Sequence, residues 1–168
     1  MITYIHTGDI KPLSLPSTAP PALHFLSSYV PALDSSSHDL RKKHFSPNAT
    51  ITTNAGPPTE FAKMDKMFEM RDQLCESFSH VVNRVWIIEQ PDGKITAFMD
   101  WSSTTVFKGK TDKPAIVPEF SVMHLEKAGE GDRGVNGLWC TGIENWMDVS
   151  PVKEVRDEIN AKAGPKPE

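Results

Sequence analysis

His80, Asp100, Glu119 and Tyr29 are the side chains of this sequence whose types and positions suit proton transfer. A free imidazole titrates near pH 6.5, roughly, and so takes and gives a proton close to neutrality. A carboxylate beside it would fix its tautomer and stabilise its cation; Asp100, on the strand after that of His80, is the candidate. Glu119 stands among Ile116, Val117, Pro118 and Phe120, an apolar setting that suits a tuned acid or base. Tyr29 offers a phenol that could donate to a developing enolate, with Asn54 as a second donor. One positioned acid–base group contributes about 10²–10⁴ in rate, which suffices for enolisation, dehydration or aldol-type cyclisation of an activated carbonyl compound. No cofactor is needed for such chemistry. Each residue also has a plainer reading: His80 as a cap, Asp100 as the partner of Arg84, Glu119 as a rim charge, Tyr29 as core.

The elements that must position them follow from periodicity. Apolar residues recur at Phe61, Met64, Met67, Phe68, Leu74, Cys75 and Phe78, a spacing that predicts one long amphipathic helix. From His80 the period becomes two, with Val81, Val85 and Ile87 on one face and His80, Val82, Arg84, Trp86 and Ile88 on the other. If even-numbered residues face a cavity from His80 onward, Phe98, Asp100, Ser102 and Thr104 share one side of the next strand. Glu119, Ser121 and Met123 share one side of the strand after it. The pocket is then expected to be lined by Ser121, Phe98 and Met123 from the sheet, by Met64, Met67 and Phe68 from the helix, and by Asn54. A slip of one residue would reverse these assignments.

Residues 1–20 are rich in proline, serine and threonine and read as an irregular arm, residues 21–163 as a single domain, and 164–168 as a frayed tail. Within the domain, the sequence predicts helices over 22–33 and about 37–44 and a short strand over 49–54. After the long helix and the strand of His80 come strands over 95–107, 115–127 and 135–147, and a terminal helix over 150–161. Helices segregated from a mostly antiparallel sheet make an α+β class.

At 168 residues the chain buries enough surface to hold a core without disulfide or metal. Cys75 and Cys140 have no CxxC spacing and read as reduced core thiols, which favours a cytoplasmic setting. With 18 basic and 22 acidic residues and no basic stripe, nucleic acid is not an expected partner, and no apolar run long enough for a bilayer is present. His124, Glu126 and Glu144 match no metal-ligand spacing, so no metal is expected. Phosphate-binding loops, dinucleotide fingerprints, nucleophile elbows and HExxH motifs are absent. Large apolar residues on the outer sheet face suggest a homodimer.

The order of elements, Tyr29 in the first helix, the apolar third helix and His80 where the next strand starts together resemble the cone-shaped NTF2-like superfamily, especially its SnoaL-like branch, over residues 22–149. That superfamily includes polyketide cyclases, ketosteroid isomerases and scytalone dehydratases, alongside proteins that only bind or dimerise. Ser28-Tyr29 followed by Leu40-Arg41-Lys42 is similar to a stretch of the scytalone dehydratases, whose pocket histidine would fall at His80. Their second tyrosine would fall near Thr53, their second histidine near Asp100, and their strand serine and asparagine near Glu119 and Ser121, so the polar set differs there. The resemblance implies a cofactor-free lyase, isomerase or cyclase acting on a hydrophobic, oxygenated small molecule of polyketide or terpenoid type. The alternative it leaves open is a small-molecule-binding or dimerisation module without turnover.

Overall fold

A computed structural model of the chain describes residues 4–11, 14–129 and 134–162. In chain order the elements are β1 (Tyr4–Thr7), α1 (Pro21–Asp34), α2 (His38–Lys42), β2 (Phe45–Thr53), β3 (Thr59–Glu60), a 3-10 turn (Phe61–Lys63), α3 (Asp65–Leu74), β4 (Cys75–Glu89), β5 (Ile95–Phe107), β6 (Lys110–Lys127), β7 (Leu138–Met147) and α4 (Ser150–Lys162). The strands form one curved, unclosed sheet in the order β1-β4-β5-β6-β7-β2-β3. Its pairs are antiparallel except β2 with β7. The α+β class is as expected.

Alternation decides which face is inside. The odd residues of β5, Ile95, Ala97, Met99, Trp101, Ser103, Thr105 and Phe107, are all buried. Residues opposite one another in an antiparallel pair share a face, so Trp101 brings Glu119 to the inner side of β6, with Ser121 and Met123 following. Helix α1 lies on this face; its Leu23, Phe25 and Leu26 are fully buried in one cluster with Val85, Ile87, Met99, Met123, Leu125 and Cys140. Pro21 starts the helix, where a missing N–H costs nothing.

Two departures from the sequence reading bear on the site. Helix α3 is ten residues long and ends at Leu74. Cys75, Ser77, Phe78 and Ser79 pair instead with Phe107, Val106, Thr105 and Thr104 of β5, where the aromatic Phe78 and the β-branched partners Val106, Thr105 and Thr104 suit a sheet. The long-helix expectation is therefore corrected, and Met67, Met70 and Leu74 are left exposed. The second departure is a β-bulge at Asn83, where Val82 pairs with Trp101 and Arg84 with Asp100. His80 and Val82 thus face inward together with Val85 and Ile87, and the parity expected along β4 is broken in the middle.

The N-terminal arm is not wholly irregular, since Tyr4–Thr7 pairs with the β4 edge from Arg84 to Ile87. The expected tail, 164–168, lies outside the described residues. Both cysteines are free; burial pushes both thiols up, so they are poor nucleophiles. Among the described residues no helix is long and apolar enough to cross a membrane.

His44 ties α2 to α1. Its Nδ1 lies 2.8 Å from the Leu40 carbonyl, its Nε2 lies 3.1 Å from Ser28 Oγ, and its ring meets Phe25 and Tyr29 edge-on. Burial, the largest effect, pulls its pKa below the ordinary 6.5. The unfolded chain therefore takes the proton first as pH falls. His44's contribution to stability is complete above the ordinary value and is lost as pH drops toward the depressed folded one. Urea unfolding should give a lower midpoint at about pH 5.5 than at about pH 7.5, and a His44→Gln variant should show a shallower decline over that window. Equal slopes for the two proteins would remove His44 as the cause.

Candidate active site

Beside the inner face runs a cleft of about 800 Å³. One wall is the segment Gly8, Asp9, Ile10 and Lys11 after β1; the second is the C-terminal half of α1, with Ser27, Val30, Pro31, Asp34 and Ser35; the floor is His80 to Asn83 of β4. Its size falls within the range of roughly 300–1,000 Å³ that small-molecule sites occupy. Local sequence shapes this wall. Pro31 has no N–H to offer the Ser27 carbonyl, which opens the helical ladder where Ser27 and Pro31 border the cleft.

His80 is gripped from two sides by one carboxylate, that of Asp34. Its Nδ1 stands 2.6 Å from Asp34 Oδ1, and its backbone N–H donates to Asp34 Oδ2 at 3.0 Å. An ionised carboxylate only accepts, so Nδ1 carries the proton and Nε2 is left as the basic nitrogen. The His80 side chain is 3% exposed, and its ring stacks on Trp101 with centroids 4.3 Å apart while Phe78 meets it edge-on at 4.9 Å. Such packing fixes the plane of the ring. Stacking on an indole face also favours the imidazolium that a proton transfer would create.

Deeper under α1 lies a buried polar chain. Trp101 Nε1–H donates to Ser121 Oγ at 2.9 Å, and the Ser121 hydroxyl donates to Asn145 Oδ1 at 2.6 Å. Asn145 Nδ2 in turn donates to Glu119 Oε2 at 3.1 Å, and the Ser103 hydroxyl donates to Glu119 Oε1. Both carboxyl oxygens of Glu119 thereby have hydrogen-bond partners, as a buried polar group requires. Tyr29 is buried against Phe25, His44 and Phe45. Desolvation, followed by the charges of Cys140, Glu119 and Asp34, holds its phenol well above the ordinary 10.0, so it stays protonated and can only be a donor or a neutral acceptor.

The residues expected from the sequence therefore divide. His80 lines the cleft, while Glu119, Tyr29, Ser121 and Met123 are on the same inner side but behind it in the core. Asp100 is a correction: it faces outward and accepts from Asn83 Nδ2 at 3.3 Å, because β5 presents its odd residues to the core. Phe98 is on that outer side for the same reason, in ring contact with Phe120 at 6.3 Å. Asn54 is also a correction. It sits in a left-handed turn with φ 49°, donating to the Met147 carbonyl and accepting the Met147 N–H, each at 2.9 Å. From the shortened helix, Phe68 is buried in the core, Met64 packs against it, and Met67 is 44% exposed, so none lines the cleft.

Asp34, between the two helices expected over 22–33 and 37–44, is the residue that the sequence analysis did not single out. A signal existed: a carboxylate in the last turn of a helix opposes the helix dipole, and a residue kept in an unfavourable place needs a partner. Among the described residues no cluster of three or more His, Cys, Asp or Glu side chains is placed to hold a metal. His124 pairs with Glu144 at 3.2 Å, and Glu126 with Lys94 at 3.7 Å, away from the cleft.

No family model matches the chain, and no curated protein sequence matches it. Solved structures do. ActVI-ORFA from Streptomyces coelicolor aligns with a TM-score of 0.61 at 16% identity over 76% of this chain and 95% of its own. BvnE pinacolase from Penicillium brevicompactum aligns at 0.60 and 10% identity over 86% and 99%. A hexachlorocyclohexane dehydrochlorinase, LinA-type3 from Novosphingobium barchaimii, aligns at 0.61 and 9% identity over 76% and 84%. The chain has the NTF2-like cone fold. In this NTF2-like cone, the His80–Asp34 pair stands where α1 meets the strand that follows α3, open to the cleft on one side and backed by Trp101 on the other.

Proposed function

We propose that this protein is a cofactor-independent lyase, isomerase or cyclase in which His80 moves the proton and Asp34 orients it. The observation that carries the reading is the two-sided grip of Asp34 on His80 at the floor of the cleft. His80 Nε2 takes a proton from a carbon next to a carbonyl or a leaving group. The resulting imidazolium, paired with Asp34 and stacked on Trp101, returns it to a leaving hydroxyl or to another carbon. Ile10, Val30 and Val82 give the cleft its apolar walls, and Asn83, Ser27 and Ser35 supply polar edges, which supports a hydrophobic, oxygenated substrate such as a polyketide or terpenoid intermediate. That two structural neighbours are a pinacolase and a dehydrochlorinase supports elimination or rearrangement.

Assembly is part of the same reading. Trp86, Phe98, Phe120 and Trp146 form a chain of ring contacts on the outer face, with Phe120 and Trp146 each 40% exposed, and this supports a homodimer across that face. Sedimentation as a single copy at micromolar concentration would end that part of the proposal.

The catalytic part is tested by incubating the protein in D₂O with a panel of hydrophobic ketones and β-hydroxy ketones and reading deuterium uptake and loss of water by mass spectrometry. Wild type should promote one or both, and His80→Gln should not. Binding of panel members with no exchange or conversion above the His80→Gln protein would identify a binding module instead.

A further inference from the structure

The Asp34–His80 pair depends on a backbone segment that has little reason to hold still by itself. Asp34 is the last residue of α1, at the negative end of the helix dipole, and its neighbours Leu33 and Ser35 carry carbonyls with no helical partner of their own. Two arginines meet those carbonyls. Arg71 of α3 donates from Nη1 to Leu33 O at 2.7 Å and from Nη2 to Ser35 O at 2.9 Å, while Arg41 of α2 donates from Nη1 to Ser35 O. The carbonyls on both sides of Asp34 are thus pinned by one planar guanidinium, which sets the backbone of residue 34 and the direction of its side chain.

Arg71 is itself fixed. Asp72 accepts from its Nε at 2.8 Å and from its Nη2 at 2.6 Å, and its guanidinium lies 4.8 Å from the centre of the Phe78 ring. Phe78 is the ring that packs edge-on against His80. Arg71 therefore touches the supports of both partners, through the backbone on the Asp34 side and through Phe78 on the His80 side. Bringing Arg41 and Arg71 together costs Coulombic energy, visible in the depressed pKa of Arg41, to which burial contributes most and Arg71 next. Arg41 Nε is also buried with no partner among the described residues. Those costs are expected of an arrangement that places guanidiniums where the backbone needs them.

We propose that Arg71, assisted by Arg41, is a positioning residue that holds Asp34 in register with His80, so that α3 controls the proton-transfer pair without touching the cleft. This inference rests on the His80–Asp34 reading above. Lysine cannot replace Arg71 in the role, because one ammonium cannot bridge two carbonyls with fork geometry.

The test follows the His80 Nδ1–H proton by ¹H–¹⁵N NMR in wild type, Asp34→Asn, Arg71→Met and Arg71→Lys, with amide spectra reporting the fold of each. Wild type should show a protected Nδ1–H signal, and Asp34→Asn should lose it. In Arg71→Met its exchange with solvent should quicken by about tenfold or more, the scale of losing charge-assisted hydrogen bonds. Arg71→Lys, which keeps the charge and most of the packing on Phe78, should be folded and still exchange faster than wild type. Wild-type protection in a folded arginine variant, with the signal lost in Asp34→Asn, overturns the role of Arg71 and leaves the pair intact. Absence of a protected signal in wild type overturns the pair and this inference together. If Arg71→Met does not fold, Arg71→Lys decides.

Discussion

Asp34→Asn should abolish most turnover while leaving the fold intact, with a loss in kcat of about 10²–10⁴-fold, as large as that of His80→Gln. The reason is the two-sided grip. Oδ2 of Asp34 accepts the His80 backbone N–H, so an asparagine places its carbonyl oxygen there and turns its NH₂ toward Nδ1. Nδ1 must then accept, the ring proton moves to Nε2, and the nitrogen assigned to take the substrate's proton is no longer basic. Steady-state kinetics on a substrate from the panel, beside a thermal melt of each variant, separate this from unfolding. Near wild-type kcat in Asp34→Asn would mean that His80 does not act as the base in the tautomer described.

Phe25→Ala should be the most damaging single truncation for stability, at about 3–5 kcal/mol, a large part of the roughly 5–15 kcal/mol that holds a domain folded. Phe25 is fully buried, stacks near Tyr29 at 6.4 Å and meets His44 edge-on at 5.4 Å, so its loss opens a cavity where α1, α2 and the sheet converge. Because α1 also carries Asp34, weakening its seat should lower activity at temperatures where the variant is still largely folded. Urea unfolding measures the first effect directly; a cost under about 1 kcal/mol would show that α1 is not packed on the sheet as described.

Strong periodicity made much of the fold legible. The strand over 95–107 was bounded correctly, the terminal helix within a residue at its end, and Glu119, Ser121 and Met123 do share a face. The α3–β4 boundary was not legible, because the apolar spacing of Cys75 and Phe78 continues a helical stripe and only the pairing with Thr105 and Phe107 turns it into a strand. Nor was the bulge at Asn83, which adds one unpaired residue and carries no period of its own. That single insertion moves His80 and Asp100 to opposite faces. The odd positions of β5, with Ala97, Met99 and Trp101, already marked its buried side and could have excluded Asp100. Asp34 lies 46 residues from His80, and its pairing is a product of the fold alone.

The most direct measurement is the ring ¹⁵N spectrum of His80 in the neutral protein at about pH 8, where an ordinary imidazole is uncharged. The expected result is one fixed tautomer with the proton on Nδ1, coupled to a downfield N–H signal that disappears in Asp34→Asn. A proton on Nε2, or the averaged shifts of an imidazole free in solvent, would contradict the role assigned to His80 and Asp34.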